Sequence, residues 1–252
     1  MVRPLYLKPQ KKNPHGFVIK QHVFPSVSIA RFVNADGRVS LFDKLRNKRR
    51  FAKPDDIIFC ARRAWDHRAE TGYMKEIENN FQSLVSRIID GGVSQIDQFD
   101  KAIIDRFYAL WHIRSRQRSL PAIEIQAKGL LGTKFTREQE ENLEKNRYSF
   151  AREDGKFLAH QLNGVQIQVK VGKYAHSVLA TAKWGIIQAH DGEFIVPDIP
   201  NHHIIPITPT VCLFNPTSNG IITKQNVAEI NRSVRAESKR YYFARDLSLC
   251  HF

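Results

Sequence analysis

Apolar residues in the middle of the chain recur three or four positions apart, the spacing of a buried helix face. Residues 73–90 carry one such set: Ile77, Phe81, Leu84, Val85 and Ile88. Residues 98–118 carry a second set: Ile103, Ile104, Phe107, Leu110 and Trp111. Residues 135–150 form a third, more polar segment, and Thr136 is suited to cap its N-terminus. The spacing predicts three helices, and the polar third helix is the best candidate for a mobile flap.

The two flanking regions have the texture of β-strands. Residues 17–24 and 38–43 are predicted as strands, with a short helix over 25–33 between them. Beyond about residue 160, short segments rich in Val, Ile, Phe and Tyr alternate with Gly, Pro or Asn, which predicts further strands over 164–171, 183–189, 193–197, 202–208, 210–214 and 240–244. One helix, residues 224–238, interrupts them with Val227, Ile230 and Val234 facing inward.

Strands, then helices, then strands predict an α+β fold. We expect one domain over residues 1–252, with a helical insertion over about 74–148. Its mostly antiparallel C-terminal sheet is expected to be joined by the N-terminal strands. That joining would bring His22 close to the acidic residues near 190–198.

Charge is the strongest global signal. Lys and Arg total 39 against 25 acidic residues, a formal net charge of +14, which concentrates polyanions at the surface. Nucleic acid is therefore the expected partner, with an acidic protein as the alternative. Candidate contacts lie in a predicted loop, residues 44–53, and at the end of the second central helix: Arg46, Lys48, Arg49, Arg50, Arg114, Arg116 and Arg118. Arg114 is equally suited to pair with Glu78, and such charge runs are also common on solvated faces.

Other features narrow the class of protein. No apolar run approaches the roughly 18 residues that cross a bilayer, so no membrane association is expected. Three widely spaced cysteines, Cys60, Cys212 and Cys250, build neither a zinc site nor a disulfide framework, which favours free thiols in a reducing cytoplasm. The adjacent residues His202 and His203 would point to opposite faces of a strand, so no metal site is expected there.

Several short segments, in this order along the chain, carry a resemblance to a known family. They are HVFP…IARF followed by DG, IE at 77–78, ALWHIRSR at 109–116, Trp184, FIVPDIP at 194–200, IIPITP at 204–209 and INRSVRAESKRYYFA at 230–244. Over roughly residues 20–245 they resemble the bacterial domain-of-unknown-function family numbered 4238. Family members commonly read Ser-Asp-Asn-Pro where this chain has Pro197-Asp198-Ile199-Pro200. The resemblance implies a single bacterial or phage-borne domain in a defence or toxin setting.

The segment HDGEFIVPD at 190–198 is similar to the late strand of ADP-ribosyltransferases, in which a glutamate precedes apolar residues and proline. That similarity implies NAD as the cofactor and a catalytic set of Glu193, His22 and Asp198. A carboxylate such as Glu193 stabilises the positive charge that develops on the ribose when the glycosidic bond of NAD breaks. His22 and Arg31 would hold the nicotinamide-bearing part, and the ring of Tyr73 would stack on it.

We therefore expect a toxin-like or phage-defence enzyme that transfers ADP-ribose from NAD to nucleic acid, RNA more than DNA. A nuclease is the rival hypothesis. It would gather a divalent cation on Asp191, Glu193 and Asp198, or use His22 as a base with Arg114 as a phosphate clamp. A third hypothesis is a non-catalytic basic module that binds nucleic acid or an acidic antitoxin.

Overall fold

The structure, a computed structural model, describes residues 7–120 and 123–252. Its helices are α1 (Ser26–Ala30), α2 (His67–Thr71), α3 (Tyr73–Ile89), α4 (Gln98–Gln117), α5 (Arg137–Lys145), α6 (Ala159–Ser177) and α7 (Lys224–Glu237). Its strands are β1 (Lys20–His22), β2 (Val39–Asp43), β3 (Lys48–Ala52), β4 (Cys60–Arg62), β5 (Ile125–Gln126), β6 (Lys156–Phe157), β7 (Gly185–Ala189), β8 (Val196–Pro197), β9 (Ile204–Pro206), β10 (Val211–Phe214), β11 (Gly220–Ile222) and β12 (Tyr241–Ala244).

The helices pack around a large apolar core. The predicted face of α3 is buried, and Phe81 on that face stacks on Phe107 of α4. Helix α4 also packs along α6, and Trp111 and Trp184 are buried in the same core. The core also takes residues from β2 and β12, such as Leu41 and Phe243, so segments from both ends of the chain share it.

The described strands form two four-stranded sheets and two smaller two-stranded ones. One four-stranded sheet has the order β3-β2-β12-β8 with antiparallel pairs throughout, and the other has the order β11-β7-β10-β9, in which only β11 and β7 are parallel. The pairing of β2 with β12 joins an N-terminal strand to a C-terminal one. The predicted α+β class, with mostly antiparallel sheets, is confirmed.

The strand that carries His22 does not take part in that joining. Among the described residues, strand β1 pairs only with β4, with His22 opposite Cys60, in a separate two-stranded sheet. The prediction that the strand carrying His22 joins the sheet near residues 190–198 was therefore wrong, since β2 rather than β1 belongs to the sheet that contains β8.

Two further local predictions were wrong. Residues 164–171, predicted as a strand, lie within helix α6, whose buried face is formed by Gly164, Ile167 and Val171. The basic segment 44–53, predicted as a loop, is a hairpin turn followed by the edge strand β3, which pairs with β2 along its whole length. Asp43 fixes that turn, because its Oδ1 accepts hydrogen bonds from the backbone amides of Leu45 and Arg46.

Helix α5, the predicted flap, is tied to the rest of the molecule by three buried glutamates. Glu140 binds Arg152, Glu141 accepts a hydrogen bond from the backbone amide of Gln10 at 2.8 Å, and Glu144 binds Arg63. These contacts fasten α5 to neighbouring segments, and the mobility predicted from its low apolar content stays a prediction. None of the helices in the described ranges is both long and apolar enough to cross a membrane.

Candidate nucleic-acid interface

A cavity of about 680 Å³ opens between the C-terminal end of α4, the outer face of α6 and the segments that follow β8 and α7. We call it the basic cavity, because five cationic side chains line it: Arg116, Arg118, Lys170, Lys239 and Arg240. Arg116, Lys170 and Lys239 are exposed, while Arg118 and Arg240 are partly buried. Two of these residues lie at the end of α4, where the helix dipole favours a positive charge.

Arg118 and Arg240 lie close enough for their charges to oppose each other. Burial lowers the pKa of Arg240 below its ordinary value, and the positive charge of Arg118 lowers it further. The guanidinium of Arg118 is held in place, because Nη2 donates to the backbone carbonyl of Ile58 at 2.6 Å. Two opposed, partly desolvated guanidinium groups form a site that an anion would stabilise.

Asp198 is the carboxylate in the wall of this cavity, and both of its oxygens are engaged. Oδ1 accepts from the backbone amide of Lys239 at 2.9 Å, and Oδ2 accepts from that of Arg240 at 3.0 Å. Burial raises the pKa of Asp198, and the two amide bonds oppose that rise. Asp198 therefore fixes the backbone that carries two of the cations, which is a positioning role.

An aromatic pair forms another part of the wall. The rings of His112 and Tyr174 stack with centroids 4.7 Å apart and planes 28° apart. Burial, followed by the charge of Arg116, lowers the pKa of His112, so its imidazole is neutral at neutral pH. His112 is buried and Tyr174 is partly buried, so the flat surface that the pair adds beside the cations is mainly the ring of Tyr174, and a ring beside cations can accept a nucleobase next to its phosphate.

The predicted catalytic pair is engaged elsewhere. His22 Nε2 lies 2.9 Å from the backbone carbonyl oxygen of Pro54, so the imidazole fastens the loop ahead of β4. Glu193 is 2% exposed, and its carboxylate accepts hydrogen bonds from Arg245 Nε at 2.8 Å and from the backbone amide of Asp246 at 3.1 Å. Each side chain has a structural partner of its own, and neither lines the basic cavity.

The two further NAD-binding candidates also lie outside the basic cavity. Arg31 follows α1 and is partly buried, and burial lowers the pKa of its guanidinium. Tyr73 begins α3, and its ring is covered by the guanidinium of Arg106 at 5.5 Å from the centroid. The structure therefore does not bring Arg31 and Tyr73 together with Asp198.

The predicted nucleic-acid contacts divide into three groups. Arg116 and Arg118 line the basic cavity. The side chains of Arg46, Lys48 and Arg49 are exposed on the β2–β3 hairpin, while Arg50 is paired with Asp56 at 2.7 Å.

Arg114 belongs to neither surface group. It is 2% exposed, hydrogen-bonds Glu78 and lies 3.6 Å from Glu70, which is the carboxylate pairing that the sequence left open. Its guanidinium is thus a structural charge that links α4 to α2 and α3.

Sequence reasoning missed Lys170, Lys239, Arg240 and the aromatic pair. Lys170 was detectable in principle, because Gly164, Ile167 and Val171 follow helical spacing and would have placed it on the outer face of a helix. Lys239 and Arg240 form no local pattern. Their position depends on Asp198, which lies about 40 residues earlier in the chain.

The acidic residues proposed to gather a divalent cation have separate partners. Asp191 binds Lys224 at 3.2 Å, Glu193 binds Arg245, and Asp198 binds backbone amides. His202 contacts Glu237 at 2.8 Å, whereas His203 contacts Asn215 at 2.8 Å. Within residues 7–120 and 123–252, no group of three or more His, Cys, Asp or Glu residues is placed to hold a metal ion.

Comparisons with known proteins place the chain in a family. No curated protein and no solved structure matches it significantly, so the similarity to ADP-ribosyltransferases rests on the sequence segment alone. A family model described as "Protein of unknown function (DUF4238)" matches residues 20–247. The match includes α1 to α7, the segments that line the basic cavity, and both four-stranded sheets. Since it extends over nearly the whole chain, the protein belongs to this family.

Proposed function

We propose that the protein binds single-stranded nucleic acid, with RNA the expected substrate, by seating phosphates in the basic cavity. One observation carries the proposal: five cationic side chains line the cavity against one carboxylate, and the oxygens of that carboxylate are engaged by backbone amides. The lining therefore carries an excess of positive charge, which the single carboxylate of Asp198 offsets only in part.

A phosphate group fits the pair of guanidinium groups. Placed near Arg118 and Arg240, it would offset both the burial and the neighbouring positive charge that lower the pKa of Arg240. Guanidinium groups bind phosphate oxygens through two parallel hydrogen bonds, and partial burial strengthens such charge-assisted bonds. Arg116 and Lys170 are exposed and would contact neighbouring phosphates of the same strand.

The aromatic pair supports a single strand over a duplex. His112 and Tyr174 lie in the cavity wall, and a base can reach such a surface only when it is unpaired. The formal net charge of +14 supports a polyanion over an isolated small anion, since it raises the local concentration of any nucleic acid.

Salt-dependent binding tests this proposal. Fluorescence anisotropy would follow labelled single-stranded RNA and DNA about ten nucleotides long, within the range of known single-strand sites, from low to high salt. Each phosphate contact contributes about 0.7 to the slope of log affinity against log salt for a single strand. The double variant Arg116→Gln/Lys170→Gln should therefore bind more weakly and lower the slope by about 1.4.

A matched control removes the same amount of charge elsewhere. Lys75 and Arg232 are exposed and lie outside the basic cavity, so Lys75→Gln/Arg232→Gln should change the slope little. Equal losses in the two double variants would refute a localised site. Displacement of the strand by an acidic peptide at equal charge concentration would favour an antitoxin-like protein partner instead.

The reaction predicted from the sequence is tested in the same preparation. ADP-ribose transfer should label the bound strand from tagged NAD, while a nuclease should shorten it without NAD. The geometry supports binding better than transfer, because Glu193 is held by Arg245 and by the amide of Asp246. Transfer of ADP-ribose therefore stays a prediction from the sequence.

The toxin-like or phage-defence role is a prediction at the level of the cell. Expression in bacteria should stop growth, and Arg116→Gln/Lys170→Gln should relieve the arrest at equal protein level. Unimpaired growth with accumulated wild-type protein would count against the toxin role while leaving the binding test unaffected.

A further inference from the structure

A second cavity, of about 390 Å³, lies beside the β2–β3 hairpin, and we call it the hairpin cavity. Three cationic side chains, Lys20, Arg38 and Lys53, line it together with Asp55 and Asp56. Its acidic content is partly neutralised, because Asp56 forms two hydrogen bonds with the Arg50 guanidinium, at 2.7 and 3.1 Å. The lining thus keeps a positive excess.

An exposed aromatic ring stands in the wall of the hairpin cavity. Phe51 lies on the edge strand β3 and is 58% exposed, and its cross-strand partner on β2 is the small residue Ser40. An exposed ring beside cations is the arrangement on which unpaired bases stack while the neighbouring phosphates are neutralised.

Two backbone-directed hydrogen bonds connect the neighbourhoods of the two cavities. Arg118, which lines the basic cavity, donates a hydrogen bond to the carbonyl of Ile58, and the neighbouring Ile57 lines the hairpin cavity. At the other end of the hairpin, the amide of Lys44 donates to the carbonyl of Arg240 at 2.8 Å. The β2–β3 hairpin therefore runs from the edge of one cavity to the wall of the other.

We propose that a single strand bound in the basic cavity continues along the hairpin and stacks one of its bases on Phe51 in the hairpin cavity. This inference rests on the proposed function and adds a second contact to it. Lys20, Arg38 and Lys53 neutralise the phosphates beside the stacked base. Strands long enough to reach Phe51 bind more tightly than short ones, and the difference depends on the aromatic ring.

Strand length and the aromatic ring are varied together in the test. Anisotropy is measured with strands of about three and about ten nucleotides, for wild type and for Phe51→Leu. Loss of one base–aromatic stack should weaken the long strand about 5- to 150-fold and leave the short strand unchanged. Phe51→Trp should retain long-strand affinity, and its fluorescence should be quenched by the long strand but not by the short one.

Ile221 supplies a matched control, since it is 70% exposed on the edge strand β11 and lies outside both cavities. Ile221→Ala should bind both strands like wild type. If Phe51→Leu binds the long strand like wild type, or weakens both strands equally, the second contact is refuted. The proposed function would still be supported in that case if strand binding depends on salt and is weakened by Arg116→Gln/Lys170→Gln. If wild type binds neither strand, both proposals fail.

Discussion

The buried ion pair between Arg63 and Glu144 gives the sharpest stability prediction. Both side chains are more than nine-tenths buried, and Arg63 Nη2 donates to Glu144 Oε2 at 2.5 Å. His160 Nε2 lies 2.9 Å from the same oxygen, and the amide of His67 donates to Oε1 at 3.2 Å. We expect Glu144→Gln to destabilise the protein strongly, because Arg63 keeps its charge in a buried site without a counterion.

The magnitude follows from the burial. Breaking a buried ion pair by removing one partner costs about 3–5 kcal/mol. At about 2–4 °C per kcal/mol for a chain of this size, the melting temperature should fall by roughly 6–20 °C. The double variant Arg63→Met/Glu144→Gln should recover at least half of that loss. No unpaired charge then remains, and the side-chain oxygen of the introduced glutamine can still accept a hydrogen bond from the backbone amide of His67.

Urea unfolding followed by tryptophan fluorescence measures both variants, with Glu76→Gln on the exposed surface of α3 as the control. A loss below 1 kcal/mol for Glu144→Gln, or a double variant no more stable than the single one, would refute the reasoning.

The pH dependence supplies a second check on the same pair. Burial alone would raise the pKa of Glu144, but the hydrogen bond and charge of His160 and the charge of Arg63 hold it below its ordinary value. A carboxyl whose pKa is lowered by folding contributes stability at pH values above its pKa in the unfolded state. That stability is lost as the pH falls through its pKa in the folded state. Glu144→Gln should therefore lose less stability on acidification than wild type.

Two further predictions concern the contact between α2 and α6. A methyl group at Gly164 would overlap Asp66 Oδ1, so Gly164→Ala should lower the free energy of unfolding by about 1–3 kcal/mol. At Gly172 on the same helix a Cβ meets open space, so Gly172→Ala should raise the free energy of unfolding by about 0.5–1 kcal/mol. Burial raises the pKa of Asp66 to about 6, so the folded state keeps a proton that the unfolded state has lost. Urea titrations should show the free energy of unfolding falling by about 1.4 kcal/mol for each pH unit as the pH rises from about 4 to 6. Asp66→Asn should flatten that slope.

Helices with a one-sided apolar stripe were predictable from the sequence. In α3, every one of the predicted inward residues is buried, because side chains three and four positions apart share a face. Helix α6 was not predictable in the same way, since Val and Ile alternate there with Gln and Lys, the pattern of a strand. Val165 and Val169 are 44% and 64% exposed, so packing of Gly164, Ile167 and Val171 decided the conformation against local propensity.

The candidate site was predictable only where its residues share a helix end. Arg116 and Arg118 follow directly from the basic end of α4. Helical spacing could have placed Lys170 on an outer helix face, but the contacts between distant segments that bring Lys170, Lys239 and Arg240 to the same cavity are not revealed by a single sequence. Glu193 was misleading because the sequence pattern of a carboxylate before a strand is the same whether the side chain faces a ligand or pairs with an arginine, as it does here with Arg245.

The basic cavity is assembled from four chain segments, near residues 116, 170, 198 and 240. A ribosome-bound chain that has exposed only the first of these displays isolated arginines on an unpacked helix, and the opposed guanidinium pair does not yet exist. The proposed recognition through this cavity would therefore begin only after Arg240 has left the exit tunnel and the chain has closed its long-range contacts. The translating ribosome, itself made largely of RNA, meets the nascent protein before the complete cavity has formed.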